Sequence, residues 1–97
     1  MVEARRSELA EHLTECVEIL RKRCPPLLPV RVELYCRSSK LFGTCHREGG
    51  RYTLRIAARI KDGHRTRYVT RSEVEDTIAH EWAHALSWGR GSDHGPH

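Results

Sequence analysis

Apolar residues recur along this chain with two different periods. Near the N-terminus Leu9, Leu13, Cys16, Val17, Leu20 and Cys24 follow one another mostly at steps of three and four. That spacing lines one face of a helix and predicts an amphipathic helix over residues 4–23. Pro25-Pro26 ends it, because proline cannot continue the hydrogen-bond ladder. From residue 30 the period falls to two. Val30, Val32, Leu34 and Cys36 alternate with Arg31, Glu33 and Tyr35, the pattern of a half-buried strand over 30–36. Residues 41–47 read as a weaker strand. Gly49-Gly50 supplies a tight turn, after which Tyr52, Leu54, Ile56, Ala58 and Ile60 share one face and Arg51, Thr53, Arg55 and Arg59 the other. This is the clearest strand, expected over 51–60 and paired with 41–47 as a hairpin. Asp62-Gly63 marks another turn, and residues 64–69 read as a loop or short edge strand. Thr70 and Glu73 have the spacing of a capping box and open a second helix that turns Val74, Ile78, Trp82 and Ala85 to the core. Gly89 and Gly91 close it, and residues 92–97 are expected to be a loop.

The order helix, strands, helix predicts an α+β fold: an N-terminal helix, a three-stranded and mostly antiparallel sheet, then a second helix. Ninety-seven residues suffice for one domain, assigned to residues 1–97, and leave no room for a second core. With 38% hydrophobic and 31% charged residues, the composition is that of a globular chain and excludes a disordered one. No apolar run approaches transmembrane length, and no hydrophobic signal core follows the start, so the expected compartment is the cytoplasm and no membrane partner is expected. Cys16, Cys24, Cys36 and Cys45 contain no C-x-x-C pair, which argues against a zinc ribbon or finger. They are expected to be reduced and mostly buried thiols. The net charge is +4, carried by fourteen arginines and three lysines. Arginine suits phosphate better than lysine does, yet a solvated basic surface explains the same charge. Oligomeric state is not encoded in any of these patterns.

The chemistry concentrates in the second helix. His80-Glu81-Trp82-Ala83-His84 reads H-E-x-x-H. Four residues exceed one helical turn only slightly, so both imidazoles share a face and can grip one metal ion. Glu81 sits beside them, where it can take a proton from a metal-activated water. A catalytic zinc usually takes three protein ligands. No Glu follows Glu81, which excludes a carboxylate from a later helix, and Ser87 and Arg90 stand where H-E-x-x-H-x-x-G-x-x-H requires Gly and His. His94 is the favoured third ligand, beyond a glycine-flanked loop that can fold back. His97, Asp93 and the upstream His46 and His64 remain alternatives. The plain reading of His46, His64 and His12 is a surface imidazole. Trp82 reads as core, and Trp88 either lines the site or packs at the helix end. Cys36, Cys45 and His46 as a second metal site compete with two simple core thiols.

His80-Glu81-Trp82-Ala83-His84-Ala85-Leu86-Ser87-Trp88 followed by His94-Gly95-Pro96 resembles the SprT-like metalloprotease domain, the group that includes Spartan. Gly43-Thr44-Cys45-His46 and Gly50-Arg51-Tyr52-Thr53-Leu54-Arg55-Ile56 look like that family's hairpin before its active-site helix. The resemblance covers about residues 28–96. It implies a minimal zincin-type fold, Zn2+ held by His80, His84 and His94, and peptide-bond hydrolysis with Glu81 as general base. It also implies a C-terminal end that is truncated or minimal. Relatives continue past His-Gly-Pro with an acidic residue, an aromatic and a further helix, and many carry a zinc ribbon. No oxyanion partner is evident in the sequence; Tyr68, His64 and a loop arginine are the candidates. A peptide substrate would add along a strand edge beside the site helix, with residues 51–60 the expected edge. Proteases of this family often act on DNA-bound proteins, so Arg51, Arg55, Arg59 and Trp88 are candidate contacts to substrate or nucleic acid. Two other readings compete: a non-catalytic zinc-binding module associated with nucleic acid, and a zinc hydrolase of a non-peptide amide or ester.

Overall fold

The computed structural model describes residues 2–89, with side chains from Ala4 to Ser87. Helix α1 spans Val2–Arg23, strands β1 to β4 span Val30–Ser39, Gly43–Glu48, Arg51–Asp62 and Arg65–Tyr68, and helix α2 spans Arg71–Gly89. The two helices pack on one face of the sheet. Leu9, Leu13 and Val17 from α1 meet Val74, Ile78, Trp82 and Ala85 from α2 over Tyr52, Leu54, Ile56, Ala58 and Ile60 of β3. Each residue of these three groups is at most 8% exposed. A fully buried side chain of this size contributes roughly 1.5–3 kcal/mol relative to leaving it in water, so these positions dominate the stability of a chain this small. No described helix is long and apolar enough to cross a membrane.

The sheet differs from the expected three antiparallel strands. It has four strands and is mixed, with β3 at its centre. β1 runs parallel to β3, from Val30 opposite Tyr52 to Ser39 opposite Ile60. On the other side β2 pairs antiparallel with the first half of β3, and β4 with its end. Adjacent antiparallel strands were expected because short connections usually join neighbours. Here the Lys40–Phe42 connection instead carries the chain across β3, and the backbone N–H of Ala57 donates to the Phe42 carbonyl at 2.8 Å. The β2–β3 hairpin then folds β3 back between its predecessors. Its turn uses Gly49 at φ +63°, a backbone conformation that side chains disfavour. Residues 51–60 are therefore no edge, because β3 is paired on both sides.

Two other expectations change. His12 is 9% exposed rather than a surface imidazole. Its Nε2 lies 2.7 Å from Glu75 Oε2 and its Nδ1 lies 3.2 Å from Arg71 Nη2. Arginine only donates, so Nδ1 accepts from Arg71 and Nε2–H donates to Glu75. The ring thus ties α1 to α2. The four cysteines are free, as expected, but Cys24 is exposed and the other three are only half-buried. Cys24 lies just past the end of α1, while Cys16 and Cys45 pack partly buried against the core.

The capping box forms as expected. Thr70 Oγ1 accepts from the Glu73 N–H at 3.1 Å, and Glu73 accepts from the Thr70 N–H at 2.8 Å. Arg67 of β4 adds a bidentate pair to the same carboxylate at 2.8 and 2.9 Å. The Arg67 hydrogen bonds, with those from Thr70, hold the Glu73 carboxyl down at about 2. A carboxyl lowered in the folded state stabilises the fold above its unfolded value, and that contribution is lost as pH falls through the folded value. Wild type is therefore expected to lose stability relative to Glu73→Gln between about pH 4.5 and 2. Thr70→Ala should cost about 1 kcal/mol at neutral pH. Denaturant titrations across the acid range check both.

Candidate metal centre

Burial of one face of α2 fixes what its neighbouring face presents. Val74, Ile78, Trp82 and Ala85 seat the helix on the sheet and on α1. His80 is then exposed, His84 half-buried and Glu81 only 8% exposed. The Nε2 atoms of His80 and His84 converge to 3.1 Å, with the rings edge to face and their centroids 4.6 Å apart. Two nitrogens bound to one tetrahedral zinc at about 2.0–2.1 Å stand about 3.4 Å apart. The histidine pair is within a few tenths of an ångström of that bite, so the two donors present fit such an ion. Among the described residues no group of three or more His, Cys, Asp or Glu side chains gathers around one point. His94, the expected third ligand, and its alternatives His97 and Asp93 lie outside the described residues, as does the Trp88 side chain.

Glu81 occupies the seam between α2 and β2. A Cβ added at Gly43 would meet Thr77 Cγ2 at 2.6 Å, the Arg55 carbonyl at 3.2 Å and Glu81 Cγ at 3.2 Å. Only glycine lets the strand approach the helix this closely. Cys45, two residues on, lies close enough to feel the Glu81 charge. Burial, and then that charge, push its thiol up to about 12. It stays protonated at neutral pH, and it does not gather with His80 and His84 into a group of three potential ligands. Beside this seam runs an open groove of about 450 Å³ lined by Leu41, Phe42, Asp76, Thr77, His80 and Glu81. Leu41 and Phe42 are 61% and 39% exposed, an apolar wall in the same groove as Glu81 and His80. β2 pairs only with β3, so among the described residues its outer edge carries no strand.

The remaining expected residues lie elsewhere. Arg51, Arg55 and Arg59 share the sheet face turned away from the helices, opposite the buried Tyr52, Leu54, Ile56, Ala58 and Ile60. Arg55 Nε bonds Glu33 at 3.3 Å, and the Arg59 guanidinium lies 5.9 Å from the Tyr68 ring centroid. His46 is on that same face and His64 is in the exposed β3–β4 turn, so neither joins His80 and His84. Neither Tyr68 nor His64 lines the groove at Glu81. Cys36 and Cys45 belong to strands separated by β3, and His46 points opposite to Cys45, which removes the second metal site. Sequence reading missed the Leu41–Phe42 wall, whose one signal is two large apolar residues in a connection.

Gly43→Ala should destabilise the fold by about 1–3 kcal/mol, the cost of overpacking. Thr77→Ser, which removes the methyl at 2.6 Å, should recover part of that loss in the double variant. Denaturation midpoints of the single and double variants test this, and no recovery would locate the strain at Glu81 or the Arg55 carbonyl instead.

No protein-family model, no curated protein and no solved structure matches this chain.

Proposed function

We propose that this chain is a zinc-dependent metallopeptidase of the SprT-like kind, acting in the cytoplasm on protein or peptide substrates. The observation that carries the reading is the convergence of His80 and His84 Nε2 to 3.1 Å, next to the buried carboxylate of Glu81. His80 and His84 would hold the ion, with His94 as third ligand. A bound zinc ion supplies Lewis acidity, lowering the pKa of a water to about 7 and polarising a carbonyl.

Glu81 accepts the proton of the attacking water and delivers it to the leaving amine. Its seat against Gly43 and Thr77 keeps the carboxylate on the metal side of the helix, and the protonated Cys45 beside it adds no competing negative charge. The substrate backbone extends the sheet along the outer edge of β2, the strand that packs against α2 at Gly43, in place of the 51–60 edge first expected. Leu41 and Phe42 then offer an apolar surface to a substrate side chain. DNA-associated proteins as substrates, with Arg51, Arg55 and Arg59 touching the phosphate backbone, remain part of this reading. That contact would lie on the sheet face opposite the histidines.

Elemental analysis and a casein digestion with and without chelator test the proposal together. His84→Ala is expected to lose zinc. Glu81→Gln is expected to keep zinc while proteolysis falls by about 10²–10⁴-fold, the range for loss of a general base. Equal zinc in wild type and His84→Ala would sink the metal site. Full zinc without chelator-sensitive cleavage would point to the non-catalytic module.

A further inference from the structure

The sheet face turned away from the helices carries a second pocket, of about 230 Å³. Its floor is Ala57, 3% exposed, and around it stand Tyr35, Ser38, Thr44, His46 and Arg55. Strand register brings these together: Tyr35 is directly opposite Ala57 on one side, and Thr44 directly opposite Arg55 on the other. A small residue in the middle of larger ones makes a cup. We propose that this cup binds a phosphate-type dianion, either free phosphate or the phosphate of a small nucleotide.

Three observations support that class of ligand. All five side chains can donate hydrogen bonds, and no Asp or Glu lines the cup. Among the described residues, the hydroxyls of Tyr35, Ser38 and Thr44, the ring of His46 and both Nη atoms of Arg55 make no hydrogen bond within the chain. Their donors are free to converge on one acceptor. The local charge is also of the right sign. Glu33 is shared between Arg31 Nε at 3.0 Å and Arg55 Nε at 3.3 Å, so two guanidiniums face one carboxylate and one positive charge is left over. Arg55 is thereby anchored through Nε while its forked Nη pair, the geometry that suits phosphate, stays available.

Size fits as well. Liquid water takes about 30 Å³ per molecule, so the cup of about 230 Å³ has the volume of roughly eight waters, enough for a tetrahedral oxyanion and part of its hydration shell. The ligand is expected to be small and discrete rather than a long polyanion, because Arg51 and Arg59 of the same stripe do not line the cup.

The cup also shares a wall with the groove at the histidines. Leu41 and Gly43 line both cavities. Ser39 Oγ clamps the connection from inside the strand end, donating to the Leu41 carbonyl at 2.7 Å and accepting from the Leu41 N–H at 3.0 Å. An anion seated beside Ser38 therefore bears on the segment that carries Leu41 and Phe42 into the groove beside His80 and Glu81.

Amide NMR of the full chain at low ionic strength, titrated with inorganic phosphate and separately with adenosine monophosphate, tests the assignment. Saturable shifts are expected at Tyr35, Thr44, His46 and Arg55, with smaller ones at Leu41 and Gly43. Losing one charge-assisted or neutral donor should weaken binding about tenfold in Arg55→Gln and about three- to tenfold in Thr44→Val. Arg65→Gln, on β4 outside the cup, should change it by less than about twofold, since exposed charges are screened. Equal affinity for the two probes identifies free phosphate, and tighter binding of the monophosphate identifies a nucleotide. Non-saturating shifts, equal losses in Arg65→Gln and Arg55→Gln, or shifts confined to His80 and His84 would each overturn the proposal. Thr44→Val keeps shape and charge on a strand, so it decides the matter even if Arg55→Gln unfolds. Zinc content is read separately, so this site and the metal centre stand or fall independently.

Discussion

The seat of Trp82 sets the geometry on which every functional statement about α2 depends. Its side chain is 1% exposed, its Nε1–H donates to the Cys24 carbonyl at 2.8 Å, and the Arg21 guanidinium lies 5.7 Å from its ring centroid. A large ring held by packing and one directed hydrogen bond fixes the rotation of the helix about its axis. Each residue along a helix advances about 100°. With Trp82 pointing to the core, Glu81 falls into the seam against β2, and His80 and His84 fall together on the flank. A helix free to roll by half that step would pull Glu81 out of the seam and shift the histidines relative to the groove. The hydrogen bond adds direction to the burial, because N–H···O geometry weakens steeply when it is misaligned.

The placement of β3 gives the sheet two unlike faces with separate chemistry. Its apolar side chains meet both helices, so the opposite face is left to Arg51, Arg55 and Arg59, with Ala57 between the last two. Because β1 lies parallel on one flank and β2 antiparallel on the other, residues far apart in sequence, such as Tyr35 and Thr44, stand around the same cup. The short connection after β1 must pass β3 to make this possible. Its passage puts Leu41 and Phe42, which are too apolar for an ordinary surface loop, beside the groove at His80 and Glu81.

Periodicity carried most of the fold. The apolar stripe of α1, the alternation in β3 and the capping box of α2 each express one local rule, and each element formed where expected. Strand direction and neighbours were not legible, because alternation has the same period in parallel and antiparallel pairing. The twelve residues of β3, twice the six of β2, are the one sequence trace of its central position. Among candidate site residues, the i, i+4 relation of His80 and His84 follows from helix geometry alone and was readable at once. The burial of His12 was not, since its partners Arg71 and Glu75 are about sixty residues away and only packing brings them near. Gly43 is similar: a glycine at the start of a strand has many uses, and only the contact with Thr77 and Glu81 reveals a close approach.

The chemistry around the histidine pair also bears on which metal it would suit. Thiolate ligands favour copper(I), zinc and iron–sulfur clusters, and imidazole suits zinc among several first-row metals. The one sulfur tied electrostatically to this site is Cys45, and it is kept protonated by burial and by the negative charge of Glu81. The carboxylate thus disfavours a second negative charge beside it, on the thiol. A cation bound by the histidines would weaken that repulsion and draw the thiol pKa down. Yet burial is the larger of the two causes and would persist, because desolvation penalises the thiolate whatever the partner. Among the described residues the donors that converge there are the two imidazole nitrogens of His80 and His84, a pair that suits zinc.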